Sequence, residues 1–137
     1  DLDWNDRLNT STPRRVKGEW IFSWVLDGMA VQDVFIVPSR AERLTDIQPD
    51  AAYGTTIRLF NIERQVWEIF YGCPEECARL EARKEGDEII LTEITSKAMK
   101  WIFSDITDNS FTWRSIAKSP AGDWITLARV YATRKKK

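Results

Sequence analysis

The sequence predicts an all-β domain: an antiparallel up-and-down β-barrel of about nine or ten strands. Apolar and polar residues alternate in short segments along most of the chain, the period of a strand with one buried face. Turn-forming pairs separate these segments, among them Asp27-Gly28, Glu85-Gly86 and the Pro120 to Asp123 run. Seven tryptophans are present, and all but Trp4 fall inside predicted strands, where such rings fill cores or line apolar pockets.

The composition limits the function. The 137 residues form one domain, 1–137, with 43% hydrophobic and 30% charged residues, a globular balance. A net charge of −1 argues against a general nucleic-acid binder. No apolar run reaches the ~20 residues that a spanning helix needs, so no membrane partner is expected. The absence of histidine removes a His base, a His metal ligand and a His-ligated haem. The two cysteines, Cys73 and Cys77, make no disulfide framework. A cytoplasmic location is expected, although the chain begins at Asp1 and a leader could have been removed.

Residues 1–17 read as a lead-in, with Leu2, Trp4 and Leu8 on one side of a short helical turn that packs over a barrel end. Residues 18–37, GEWIFSWVLDGMAVQDVFIV, are the organising hairpin. An Asp27-Gly28 turn pairs Leu26 with Met29, Trp24 with Val31, Phe22 with Asp33 and Trp20 with Phe35. One face is then aromatic and apolar, with the single acid Asp33 in it. Residues 38–52 are a long connection of the kind that often serves as a lid.

Segments 53–60 and 66–71 follow as strands. Pairing Leu59 with Trp67 puts Thr55 opposite Tyr71 and turns Arg58 outward, opposite Glu68. Segments 77–84 and 87–94 pair Ala82 with Ile89 and Leu80 with Leu91. Their outer face carries the charged ladder Arg79, Glu81, Arg83 and Glu88. Segments 98–106 and 110–117 pair Phe103 with Trp113 around residues 107–109, with Asn109 left-handed. The last strand runs from Trp124 to Thr133 with either face inward, and 134–137 is a basic tail. These nine strands leave the first and last parallel at the seam, so the seam is parallel or a further strand exists, with 40–52 as its candidate place. The looser loops, 38–52, 72–76, 95–97 and 118–123, gather at one end, where a ligand entrance is expected.

GEWIFSWVLDGMAVQDVFIVP opens on the triplet Gly18-Glu19-Trp20, which resembles the Gly-x-Trp start of lipocalin-like barrels in the calycin superfamily. With YGTTIRLF, WIFSDITDNSFTWR and Arg134, it resembles an uncharacterised bacterial family of lipocalin-like proteins over most of residues 18–135. The resemblance implies a lipocalin/calycin-like barrel with an internal cavity, often a homodimer. Lipocalins usually carry a late arginine near the first-strand tryptophan, and the strand order places neither Arg129 nor Arg134 beside Trp20.

The expected function is binding of a small apolar or amphipathic molecule inside the barrel. The expected lining is Trp24, Asp33, Tyr53, Trp67, Tyr71, Phe103 and Trp113, hydroxyls in a mostly apolar wall. Asp33 is the candidate acid-base residue of the alternative, a cofactor-free isomerase, cyclase or lyase. A third reading is a structural or regulatory dimer with a filled interior. No cofactor or metal is expected, because two thiols and two acids in Cys73 to Cys77 make a poor zinc site. The outer face of the first hairpin, with Ile21, Val25, Val34 and Ile36, is the expected homodimer contact.

Overall fold

A computed structural model describes residues 2–6, 9–42, 44–45, 52–95 and 98–135, with the backbone alone before Val16. Eleven strands form one curled, barrel-like sheet: β1 (Leu2–Asp6), β2 (Asn9–Val16), β3 (Glu19–Val25), β4 (Ala30–Val37), β5 (Ala52–Asn61), β6 (Val66–Gly72), β7 (Cys77–Glu85), β8 (Glu88–Glu93), β9 (Met99–Ser104), β10 (Ser110–Lys118) and β11 (Trp124–Thr133). The described residues contain no helix, and therefore none long and apolar enough to cross a membrane.

From β3 to β11 the nine predicted strands run up and down, each antiparallel to the next. The amino-terminal expectation is corrected. Residues 2–16 supply two strands rather than a helical turn; Leu8 itself lies outside the described residues. β1 adds antiparallel to β11, with Leu2 opposite Val130 and Trp4 opposite Ala128, and β2 adds to β1. The sheet order is therefore β2-β1-β11 and down to β3. Two further strands, not one, lie here and bring the count to eleven. In 40–52, residues 43 and 46–51 are outside the described set, and the Glu42 and Thr45 amides donate to the Ser39 and Glu42 carbonyls.

This order answers the seam problem. Successive antiparallel steps leave β2 and β3, the two ends, pointing the same way. Only Lys17-Gly18 separates them, so one bent stretch pairs with β1 through its first part and with β4 through its second. The Ser39 amide donates to the Lys17 carbonyl at 3.1 Å and extends the β4 side past the bend. Glycine is required at the bend: a Cβ on Gly18 would stand 2.8 Å from both the Ile36 carbonyl oxygen and Val37 Cγ2.

The first hairpin has the predicted register, with Trp20, Phe22 and Trp24 opposite Phe35, Asp33 and Val31. Its tip holds Leu26, Asp27 and Gly28 at positive φ. β5 and β6 depart from prediction by one residue: Phe60, not Leu59, faces Trp67, and Thr56 faces Tyr71. Residues 62–65 form a four-residue loop, fixed by the Arg64 amide donating to Asn61 Oδ1 and by Gln65 at φ 55°. Because side chains alternate, that single step turns Arg58 inward and Tyr53 and Thr55 outward. β7 and β8 depart by two residues, with Ala82 opposite Leu91 and the turn at Gly86-Asp87, which leaves every face as predicted. β9 and β10 pair Phe103 with Trp113 as predicted, but the left-handed residue of their loop is Asp105, not Asn109. β11 turns Ala128 and Val130 inward, opposite Ser115 and Trp113.

The core lies on the concave face: Val37, Ile69, Leu80, Ala82, Leu91, Phe103, Trp113, Ala128 and Val130. The larger side chains among these each contribute on the order of 1.5–3 kcal/mol by leaving water. Trp20 binds the cluster together, its ring 5.0 Å from Phe35, 5.6 Å from Phe103, 5.5 Å from Phe111 and 5.7 Å from Trp113. On the convex face Ile36 is only 1% exposed, covered within its own chain. That corrects its place in the expected dimer contact and leaves Ile21, Val25 and Val34 of that set open to a second copy. Arg129 and Arg134 are exposed.

Candidate functional site

The concave side of the curled sheet holds a partly open cavity of about 510 Å³. Its aromatic wall is Trp20, Phe35, Tyr71, Trp101 and Trp113, and Asp33, Thr56, Arg58 and Ser115 add polar groups. Ala52, Glu76, Ala98, Met99, Ala117 and Lys118 surround the end that carries the looser loops.

Strand alternation positions these groups. Asp33 faces inward from β4 because it pairs with Phe22 on one side and Thr56 on the other. Arg58 follows Thr56 by two residues on β5, so it shares the inward face and lies diagonally across from Asp33. Arg58 Nη1 donates to Asp33 Oδ2 in an ion pair. The pair is largely buried: the side chain of Asp33 is 1% exposed and that of Arg58 13%. The guanidinium also lies 5.8 Å from the Phe22 ring and 5.9 Å from the Phe103 ring, a cation–π bracket on both sides.

The wall is built ring against ring. Tyr71 meets Trp101 edge-on at 5.1 Å, and Trp101 meets Trp113 at 6.0 Å. Tyr71 lies across Gly54; a Cβ there would come within 2.8 Å of Tyr71 Cε2 and Oη, so glycine makes room for the ring. Thr56 and Ser115 are buried. The indole Nε1 groups of Trp20 and Trp113 are buried donors with no acceptor among the described residues.

The expected lining residues divide. Asp33, Tyr71 and Trp113 border the cavity. Phe103 packs behind Arg58, and Trp67 packs on Phe60 at 5.2 Å. Phe103 and Trp67 thus lie off the cavity wall, a correction that extends to Trp24 and Tyr53. Trp24 lies on the concave side of β3, but near the hairpin tip, where it is 73% exposed. Tyr53 faces outward and is 48% exposed, as the shifted register of β5 requires. Arg58 was placed outside against Glu68; instead Glu68 meets Arg64 at 3.7 Å and Arg79 at 3.9 Å on the convex face. A signal for Arg58 exists in the sequence: an inward acid needs a cation, and YGTTIRLF, next along the chain after the long connection, contains just one. Trp20, Thr56, Trp101 and Ser115 also join the wall.

A second hollow, an open groove of about 740 Å³, runs along the convex face past Gln32, Val34, Tyr53 and Thr55 to Cys73 and Cys77. Both cysteines are free thiols. The Cys73 amide donates to the Glu76 carbonyl at 2.9 Å, so a tight turn joins them. No metal-binding group of histidine, cysteine and acidic residues occurs among the described residues.

No protein-family model matches the chain, and no curated protein matches it. The functional reading therefore rests on the cavity.

Proposed function

We propose that this protein binds a small, largely apolar molecule inside the curled sheet. One observation carries the reading: a cavity of about 510 Å³, walled by aromatic rings, has a buried ion pair on its wall. Pockets of about 300–1,000 Å³ with apolar walls and a few fixed polar groups are what small-molecule sites look like. A domain stabilised by a filled interior would have little use for such a hollow, because close packing is the more stable solution. The ion pair weighs against the acid-base enzyme, since the Asp33 carboxylate is occupied by Arg58. The two free thiols support a cytoplasmic setting, where thiols stay reduced.

The test is native mass spectrometry of the protein as purified, together with titration of a fluorescent apolar probe. A bound mass that the probe displaces, with a change in tryptophan emission, supports the reading. A protein that carries no ligand and takes up no probe contradicts it.

A further inference from the structure

We propose that the ligand is an uncharged aromatic molecule bearing a carbonyl oxygen, and that Arg58 recognises this oxygen. The inference rests on the binding reading above and narrows it to a chemical class.

Charge decides first. Arg58 and Asp33 neutralise each other inside the cavity wall. A ligand carboxylate brought to Arg58 would enter beside the Asp33 carboxylate in a largely buried site, where like charges repel more than in water. A ligand cation would meet the guanidinium instead. The other end of the cavity repeats the balance, with Lys118 and Glu76 both on its wall. Neither end favours a net charge.

Hydrogen-bonding capacity decides next. A guanidinium has five N–H donors and no acceptor. Among the described residues, Arg58 gives a hydrogen bond to Asp33 alone, and through Nη1 alone. None of its nitrogens is both buried and unpartnered, so those without a partner border open space. The rings of Phe22 and Phe103 flank the group without offering a lone pair. At Arg58 the unfilled capacity is donor only, so the ligand group that meets it should bring an acceptor, and a carbonyl oxygen brings two lone pairs without charge. The rings of Trp20, Tyr71, Trp101 and Trp113 then suit a flat aromatic body, which can meet them face or edge.

The test uses three probes of one shape, 2-acetylnaphthalene, 2-naphthoate and 2-ethylnaphthalene, in equilibrium dialysis at pH 7. The ketone should bind about tenfold or more tightly than either of the others, as a hydrogen bond to a charged donor implies. Its advantage over 2-ethylnaphthalene should disappear in the double variant Asp33→Leu, Arg58→Met, with near-ultraviolet circular dichroism to verify its packing. Tightest binding of 2-naphthoate would replace the neutral carbonyl with an anion and overturn the proposal. Equal binding of ketone and hydrocarbon by the wild type would overturn it while leaving the cavity a binding site. So would a ketone preference that persists in a folded double variant. If none of the three binds, the proposal falls, and the binding reading falls with it only if the apolar probe and native mass spectrometry are negative too. The wild-type comparison stands even if the variant does not fold.

Discussion

Asp33 and Arg58 form an ion pair, yet neither is the other's cross-strand partner: Val31 stands opposite Arg58, and Thr56 opposite Asp33. The long arginine side chain reaches diagonally along the sheet to make the contact. Removing one member leaves the other charge buried and alone. Asp33→Asn should therefore cost about 3–5 kcal/mol, while Asp33→Leu with Arg58→Met should be neutral or stabilising by about 1–4 kcal/mol. Urea denaturation of both variants decides the matter. A harmless Asp33→Asn would mean that water reaches the pair.

Trp24 and Trp113 were expected to play equal parts in one interior, and their exposures differ widely, 73% against 8%. Trp113→Ala should lose about 3–5 kcal/mol, as large-to-small changes in a packed core do. Trp24→Ser should change stability by less than about 0.5 kcal/mol. A large loss at Trp24, measured by the same denaturation, would reveal a cover over the hairpin tip in solution.

Acid should loosen the segment after β4. Arg40 Nε donates to Glu19 Oε2 at 2.7 Å. This hydrogen bond, together with the Arg40 amide and the charges of Arg40 and Lys135, outweighs desolvation and holds the Glu19 carboxyl below its ordinary 4.5. A lowered carboxylate stabilises the fold above its unfolded value, and that contribution fades as pH falls through the folded one. The stability difference between wild type and Glu19→Gln should thus be greatest near neutrality and shrink toward pH 3. Added salt should shrink it as well, since the pair is largely exposed. A difference independent of pH would remove the ion pair from the account.

Gly18→Ala should cost about 1–3 kcal/mol through overpacking. The added methyl group would meet a backbone oxygen of β4, which cannot swing aside as a side chain can. Gly54→Ala makes an equally close contact, but with the far end of the Tyr71 ring, and should be milder. Thermal unfolding ranks the two; a milder effect at Gly18 would mean that the bend relaxes readily.

The sequence was most legible where a turn dipeptide names its own geometry. Asp27-Gly28 set the register of the first hairpin, and with it the inward position of Asp33. The misplaced turn at Glu85-Gly86 did no harm, because an error of two residues preserves the faces of a strand. The loop at residues 62–65 did harm with an error of one. Its geometry depends on an Asn61 side chain that accepts from the backbone and on a left-handed Gln65, neither of which a turn dipeptide announces. Arg58, the other half of the site, was hidden by that step. β1 was hidden for a different reason: its partner β11 lies at the far end of the chain, local periodicity cannot report it, and β2 pairs in turn with β1.

That distant pairing governs the order in which the protein can form. The hairpins from β3 to β11 join neighbours in sequence, so their loops close at small entropic cost. Leu2 must find Val130, nearly the whole chain away. On the ribosome the first strand emerges long before its mate, and its outer edge stays open to other chains until β11 is made. Closure of β1 on β11 is therefore expected to come last and slowest in assembly. A chain truncated before Trp124 would have no partner for that edge, and it should aggregate even though most of its hairpins are intact.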